Sequence, residues 1–213
     1  MYVPAHFSED RKDVLHAAMR AARLAALVTL TADGMIASHV PLLLDAEAGP
    51  NGTLVGHLAR ANPQATAAPI GEALVIYTGP DAYITPNWYA TKREHGRVVP
   101  TWNYVAIHAY GTLEVFDDAA RLHALVSRLT DHKEKPRADP WAVTDAPERF
   151  IDGQLKGIVG FALLITRLQG KWKMSQNRPA ADRTGVVNGL REDGRPDLAV
   201  EVAQVARDQD RAA

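Results

Sequence analysis

The chain has no cysteine, so disulfide staples and thiolate metal centres are excluded. Neither sign of charge is in excess: 24 Lys and Arg face 25 Asp and Glu, a net charge of −1. Nucleic-acid-binding domains normally show a basic excess, so any such footprint here must be local. No apolar run reaches membrane-spanning length. The N-terminal MYVPAHFSED lacks the basic-then-apolar order of a secretory signal, and the expectation is a cytoplasmic protein. P-loop, GxSxG and HExxH patterns are missing. So are internal repeats, low-complexity segments and a recognisable linker.

What is present suits a soluble globular protein: 213 residues, 46% hydrophobic and 23% charged. The most informative stretch is Val99 to Val115, VPTWNYVAIHAYGTLEV. Val105, Ile107, Ala109, Gly111, Leu113 and Val115 alternate with Tyr104, Ala106, His108, Tyr110, Thr112 and Glu114, the period of a two-faced strand. Its beginning, Pro100-Thr101-Trp102-Asn103-Tyr104, mixes aromatic and amide groups. Aromatic walls with a few placed polar groups suit a flat heterocycle; a core strand with an aromatic start is the equal alternative.

Ser8 is an expected N-cap, with Val14, Leu15, Ala18, Met19 and Ala22 forming a helical stripe behind it. Ala26–Thr31 and Met35–Leu44 read as a hairpin about Asp33-Gly34, with Pro41 marking an edge or a bulge. A third strand, Thr53–His57, runs into Arg60-Ala61-Asn62-Pro63, where Asn-Pro predicts a helix start. That junction gathers His57, Arg60 and helix N–H groups, and reads either as a phosphate site or as a routine strand-to-helix turn. A fourth strand, Ala73–Thr78, is expected to end at Gly79-Pro80, and an amphipathic helix to cover Asp117–His132.

Ile158–Leu168 is the last expected strand, followed by the turn-like GKWKMSQNR at 170–178. This segment presents ammonium and amide donors, either to an anion or to solvent. Two helices follow, about Pro179–Leu190 and Pro196–Gln209. As a helix-turn-helix they make a poor DNA reader, because Asp197, Glu201, Asp208 and Asp210 on the second would face phosphates. The eight histidines offer no short-spaced ligand pair, so no metal site is expected.

MYVPAHF, GHLARANPQ (56–64), YITPNWY (83–89), VPTWNYVAIHAYG (99–111) and GKWKMSQNR together resemble the PaiB-type FMN-binding negative transcriptional regulators. The likeness covers nearly the whole chain. It implies an α+β, mainly β fold: an antiparallel split β-barrel of the FMN-binding type with flanking helices. It also implies one domain over residues 1–213 with a helical extension from about 179, and a homodimer with FMN at the subunit interface. By resemblance, the phosphate would fall to Ser38 and His39 on the second strand and to Arg60 and Asn62 in the turn after the third, with His57 at the end of that strand added from the junction itself. Related oxidases carry an Arg and an Arg-Lys pair there, from which this chain departs. Thr101, Trp102 and Asn103 would meet the ring, with Lys171, Ser175 and Gln176 from the later segment. The resemblance implies an FMN-dependent regulator, DNA being an admissible partner without a recognisable motif. A flavin-dependent oxidoreductase of the pyridoxamine-phosphate-oxidase-like class and a haem-handling relative are the alternatives, and the enzyme question stays open.

Overall fold

Strands that alternate cleanly border the core, because only one of their faces can leave water. The computed structural model describes residues 1–212, with side chains through Arg207; Ala213 and the carboxylates of Asp208 and Asp210 lie outside the described residues. Strand β1 (Ser8–Glu9) precedes helix α1 (Lys12–Ala21). Strands β2 (Ala25–Thr31), β3 (Gly34–Val40), β4 (Leu43–Asp45), β5 (Thr53–Ala59) and β6 (Ala73–Ile84) follow. Helix α2 (Thr91–His95) leads to β7 (Thr101–Phe116), α3 (Ala119–Glu134), α4 (Glu148–Leu155) and β8 (Ile158–Lys173). Helices α5 (Ala180–Glu192) and α6 (Pro196–Ala212) close the order. The strands form one sheet in the order β3-β2-β6-β7-β8-β5-β4, with β1 paired to β8. The β2–β3, β2–β6, β4–β5, β5–β8 and β1–β8 pairs are antiparallel.

The chain divides into two compact units. The hairpin unit holds Lys12–Tyr77 and His108–Leu168; the terminal unit holds Met1–Arg11, Thr78–Ile107 and Gln169–Ala213. In the hairpin unit, β5 buries Leu54, Gly56 and Leu58 in alternation, and β8 buries Phe161, Leu163 and Ile165. Leu15 and Met19 of α1 and Leu122, Leu125 and Leu129 of α3 bury the apolar stripes of their helices. A Cβ at Gly111 would stand 2.1 Å from the Leu164 carbonyl oxygen, so only glycine lets β7 approach β8 this closely. Edge strand β3 lies against β5, which brings the two ends of the strand order together. This is the antiparallel split-barrel fold, mainly β with flanking helices, that the resemblance implies.

In the terminal unit, α5 and α6 pack on one another over Val186, Leu190, Leu198, Ala199 and Val202, all wholly buried. The Trp88 ring lies on α5 at Gly189, where a Cβ would come within 2.2 Å of it. Buried Asp182 accepts bonds from the Thr91 amide (2.9 Å) and hydroxyl (2.7 Å). Glu201, on the helix that reads poorly as a DNA reader, accepts from Trp172 Nε1 at 3.3 Å.

Several boundaries differ from expectation. Ser8 caps no helix: it pairs with Lys171 in β1, its hydroxyl bonds Asp10, and the helix starts at Lys12. The hairpin's second strand stops at Val40 before Pro41, and pairing resumes at Leu43. Strand β6 runs through Gly79-Pro80 to Ile84, because Gly79 serves close packing against Val105 rather than a turn. Pro63 opens only a single 3-10 turn, Pro63–Ala65. Strand β8 continues five residues beyond Leu168, so Lys171 and Lys173 lie on a strand rather than in a turn.

Candidate functional site

In the hairpin unit, Ser38 and His39 are neighbours on β3 and therefore project from opposite faces. Ser38 is half-buried and accepts a 2.8 Å bond from Asn62 Nδ2, whereas His39 is exposed. Asn62 Oδ1 caps the 3-10 turn by accepting from the Gln64 amide at 2.9 Å. The Ala65 amide bonds the Asn62 carbonyl, and those of Thr66 and Ala67 bond the Pro63 carbonyl. The turn thus consumes its own N–H groups, and the helix N-terminus expected to offer them to a phosphate does not form. Gln64, buried, donates to Leu27 O (3.1 Å), Thr29 Oγ1 (3.0 Å) and Ile36 O (3.3 Å), tying the turn to β2 and β3.

Arg60 is committed elsewhere. Its Nε bonds the Lys156 carbonyl at 2.9 Å, its Nη2 bonds the Ile158 carbonyl at 3.0 Å, and Nη1 stands 3.5 Å from Asp117. The guanidinium therefore anchors the start of β8 and is not bonded to Ser38, His57 or Asn62. His57 keeps a buried Nδ1 without a hydrogen-bond partner, and burial holds its pKa below the ordinary imidazole value.

In the terminal unit, the alternation at the start of β7 separates its side chains as expected. Asn103 is wholly buried and Trp102 is 53% exposed, which excludes a core role for the indole. Trp102 meets Tyr83, itself 49% exposed, edge to face with centroids 6.1 Å apart. Asn103 Nδ2 donates to Ser175 Oγ at 3.0 Å, and that hydroxyl returns a 3.2 Å bond to Asn103 Oδ1. Ser175 adopts φ 63°, alone among the described non-glycine residues in having a positive φ. Such a conformation costs about 1–2 kcal/mol and must be held by its surroundings. Gln176 closes this turn on itself, accepting from the Met174 amide at 2.6 Å and donating to the Trp172 carbonyl.

Lys171 is buried; its ammonium donates to the Tyr2 carbonyl at 3.1 Å and lies 5.2 Å from the Tyr104 ring centre. The Lys173 ammonium donates to Thr101 Oγ1 and to the Trp102 carbonyl at 2.7 Å. A cavity of about 110 Å³ opens here, its polar wall made by Thr101, Asn103, Lys173, Ser175, Asn177 and Arg178.

The structure thus sorts the expected site residues into two sets. Ser38 and Asn62 bond each other in the hairpin unit, where His39 points away and Arg60 serves β8. Thr101, Asn103 and Ser175 share one cavity wall in the terminal unit, while Lys171 and Gln176 bond backbone carbonyls. Lys173, Asn177 and Arg178 belong to the segment read as presenting donors to an anion or to solvent, but they are not among the residues singled out in it, Lys171, Ser175 and Gln176. Continuing the alternation of β8 past Leu168 would have set Lys171 and Lys173 on one face and drawn attention to the pair.

An antiparallel split barrel with half-exposed aromatics beside buried amide and hydroxyl groups belongs to the flavin-binding split-barrel class. A family model described as "Putative FMN-binding domain" matches residues 1–167, and the chain belongs to that PaiB-type FMN-binding family. FMN is its cofactor. An uncharacterized protein of Aspergillus fumigatus is 38% identical, over 74% of this chain and 76% of its own length. The Bacillus subtilis protease synthase and sporulation protein PAI 2 is 31% identical over 98% of both chains. The FAD and heme binding protein of Mycobacterium smegmatis shares the fold at a TM-score of 0.54 and 19% identity, over 78% of this chain and 73% of that one. No helix among the described residues is long and apolar enough to cross a membrane.

Proposed function

We propose that this protein is an FMN-dependent regulator of the PaiB type, in which the flavin acts as ligand or redox sensor, and that it works as a homodimer. The observation that carries this reading is the exposed Trp102–Tyr83 pair beside the buried Asn103–Ser175 pair. A half-wet aromatic face, here the Trp102 indole braced edge to face by Tyr83, flanked by oriented polar groups suits an isoalloxazine ring. The donor set also fits FMN, a planar ring carrying a dianion, because the same unit holds Lys173 and Arg178. Trp102 takes the ring side, with Thr101 and Asn103 behind it on the wall of the neighbouring cavity, and the exposed aromatics also suit a second copy of the chain. The regulatory part of the reading rests on the resemblance to the PaiB-type regulators, and the Bacillus relative is named a protease synthase and sporulation protein.

The test is the absorbance spectrum of the full chain as purified and after addition of FMN, with light scattering on the same sample. Flavin bands and a dimer are expected. A DNA-mobility shift that differs between oxidised and reduced flavin would support the sensor role. Turnover of reduced nicotinamide or pyridoxamine phosphate would replace it with an oxidoreductase, and a Soret band on adding haemin with a haem-handling protein.

A further inference from the structure

We propose that the cavity walled by Thr101, Asn103, Lys173, Ser175, Asn177 and Arg178 is a preformed pocket for one oxyanion, a phosphate monoester group above all. At about 110 Å³ it lies far below the ~300 Å³ at which pockets begin to enclose drug-sized ligands, so it admits a single charged group and no ring. No Asp or Glu stands among the residues that line it. Among the described residues, none of Lys171, Lys173 and Arg178 forms an ion pair with a carboxylate. The Lys173 ammonium has three protons and commits two, to Thr101 and to the Trp102 carbonyl. The Arg178 guanidinium rests on the Tyr89 ring, 4.5 Å from its centre, which orients it without neutralising it.

A cluster of cations left without counter-charge is costly unless something compensates it. Burial first, and then the charges of Lys171 and Arg178, hold the Lys173 pKa below its ordinary value. A bound anion reverses the second effect. The strained turn at Ser175 and the buried Asn103 keep the wall in place before any ligand arrives, which lowers the ordering cost of binding.

Two sources offer the same chemistry: the 5′-phosphate of FMN, and a free small phosphate ester acting beside the flavin. The first rests on the FMN reading above; the second does not. The experiment uses the full-length protein, flavin-free, and titrates inorganic phosphate, FMN and riboflavin into wild type, Lys173→Met, Arg178→Gln and the conservative Lys173→Arg. The melting temperature of each variant identifies any that fails to fold. Wild type is expected to bind phosphate, the two neutralising variants to lose at least tenfold, and Lys173→Arg to retain most of it. If FMN supplies the anion, the same variants lose FMN affinity tenfold or more with riboflavin unchanged. Loss of phosphate binding with both flavins unchanged assigns the pocket to a free ester. Wild-type protein that binds no phosphate, together with an FMN-to-riboflavin ratio equal in all variants, overturns the pocket. A wild type that binds neither flavin overturns the FMN reading instead, and the phosphate titration still decides the pocket.

Discussion

The two units of this protein use their polar side chains in opposite ways. In the hairpin unit, Asn62, Gln64 and Arg60 are almost wholly absorbed in joining strands and closing a turn. In the terminal unit, Lys173 and Arg178 line a cavity together with the buried Asn103–Ser175 pair and, among the described residues, have no carboxylate partner. Both regions look like anion sites when read as residue types. Only the hydrogen-bond inventory separates them: a guanidinium already bonded to two carbonyls stabilises a strand end, whereas an ammonium with a proton to give can hold a ligand.

The largest test of this contrast is Gln64→Leu. The change preserves bulk and strips the bonds to the buried Leu27 carbonyl and the part-buried Ile36 carbonyl. A loss of about 2 kcal/mol is expected, read as a Tm fall of roughly 5 °C in a chain of this size. The ratio of FMN to riboflavin affinity should not move. A shift in that ratio would mean that the hairpin unit also meets the phosphate.

Trp102→Ala should do the reverse. The indole is half-exposed, so Tm of the flavin-free protein should change by less than about 0.5 kcal/mol equivalent. FMN and riboflavin should both weaken about tenfold, since stacking and buried area are lost to each alike. A large Tm drop with unchanged flavin affinity would make the residue structural.

Arg60→Ala sharpens the comparison from the other side. Removal of the bonds to Lys156 and Ile158 should cost about 1 kcal/mol in a denaturant titration. FMN and riboflavin should be affected equally. A selective loss of FMN would return the dianion to the hairpin unit.

The smallest effect concerns pH. Burial lowers the His57 pKa, so between that value and the unfolded value of about 6.5 the unfolded chain binds the extra proton. Its contribution to stability is fully present above about pH 6.5 and is lost as pH falls toward the folded pKa. His57→Gln should flatten this part of the Tm–pH curve, and an unchanged curve would assign the slope to other groups.

Much of the strand framework was legible in the chain. Alternation marked β7, the Asp33-Gly34 turn marked the β2–β3 hairpin, and the split of Trp102 from Asn103 onto opposite faces followed from the period of a strand. The misread places share a cause. Gly79-Pro80 looks like a turn until Val105 is seen packed against the glycine, and Ser8 looks like a cap until β8 offers it a strand partner. Local chemistry proposes an element, and long-range pairing can override it.

The same division applies to the site. Periodicity and turn residues marked the strands and the hairpin, because alternation and turn chemistry act over a few positions of the chain itself; the split barrel and its flavin were implied by the resemblance of the family blocks alone. Whether a charge is free to bind depended on partners far away in sequence. Lys156, Gly157 and Ile158 occupy Arg60 across nearly a hundred residues, and Asn103 meets Ser175 across 72. Those contacts exist only once the strands have paired, so tertiary structure alone decided which cations were taken up by the fold and which were left to face a cavity.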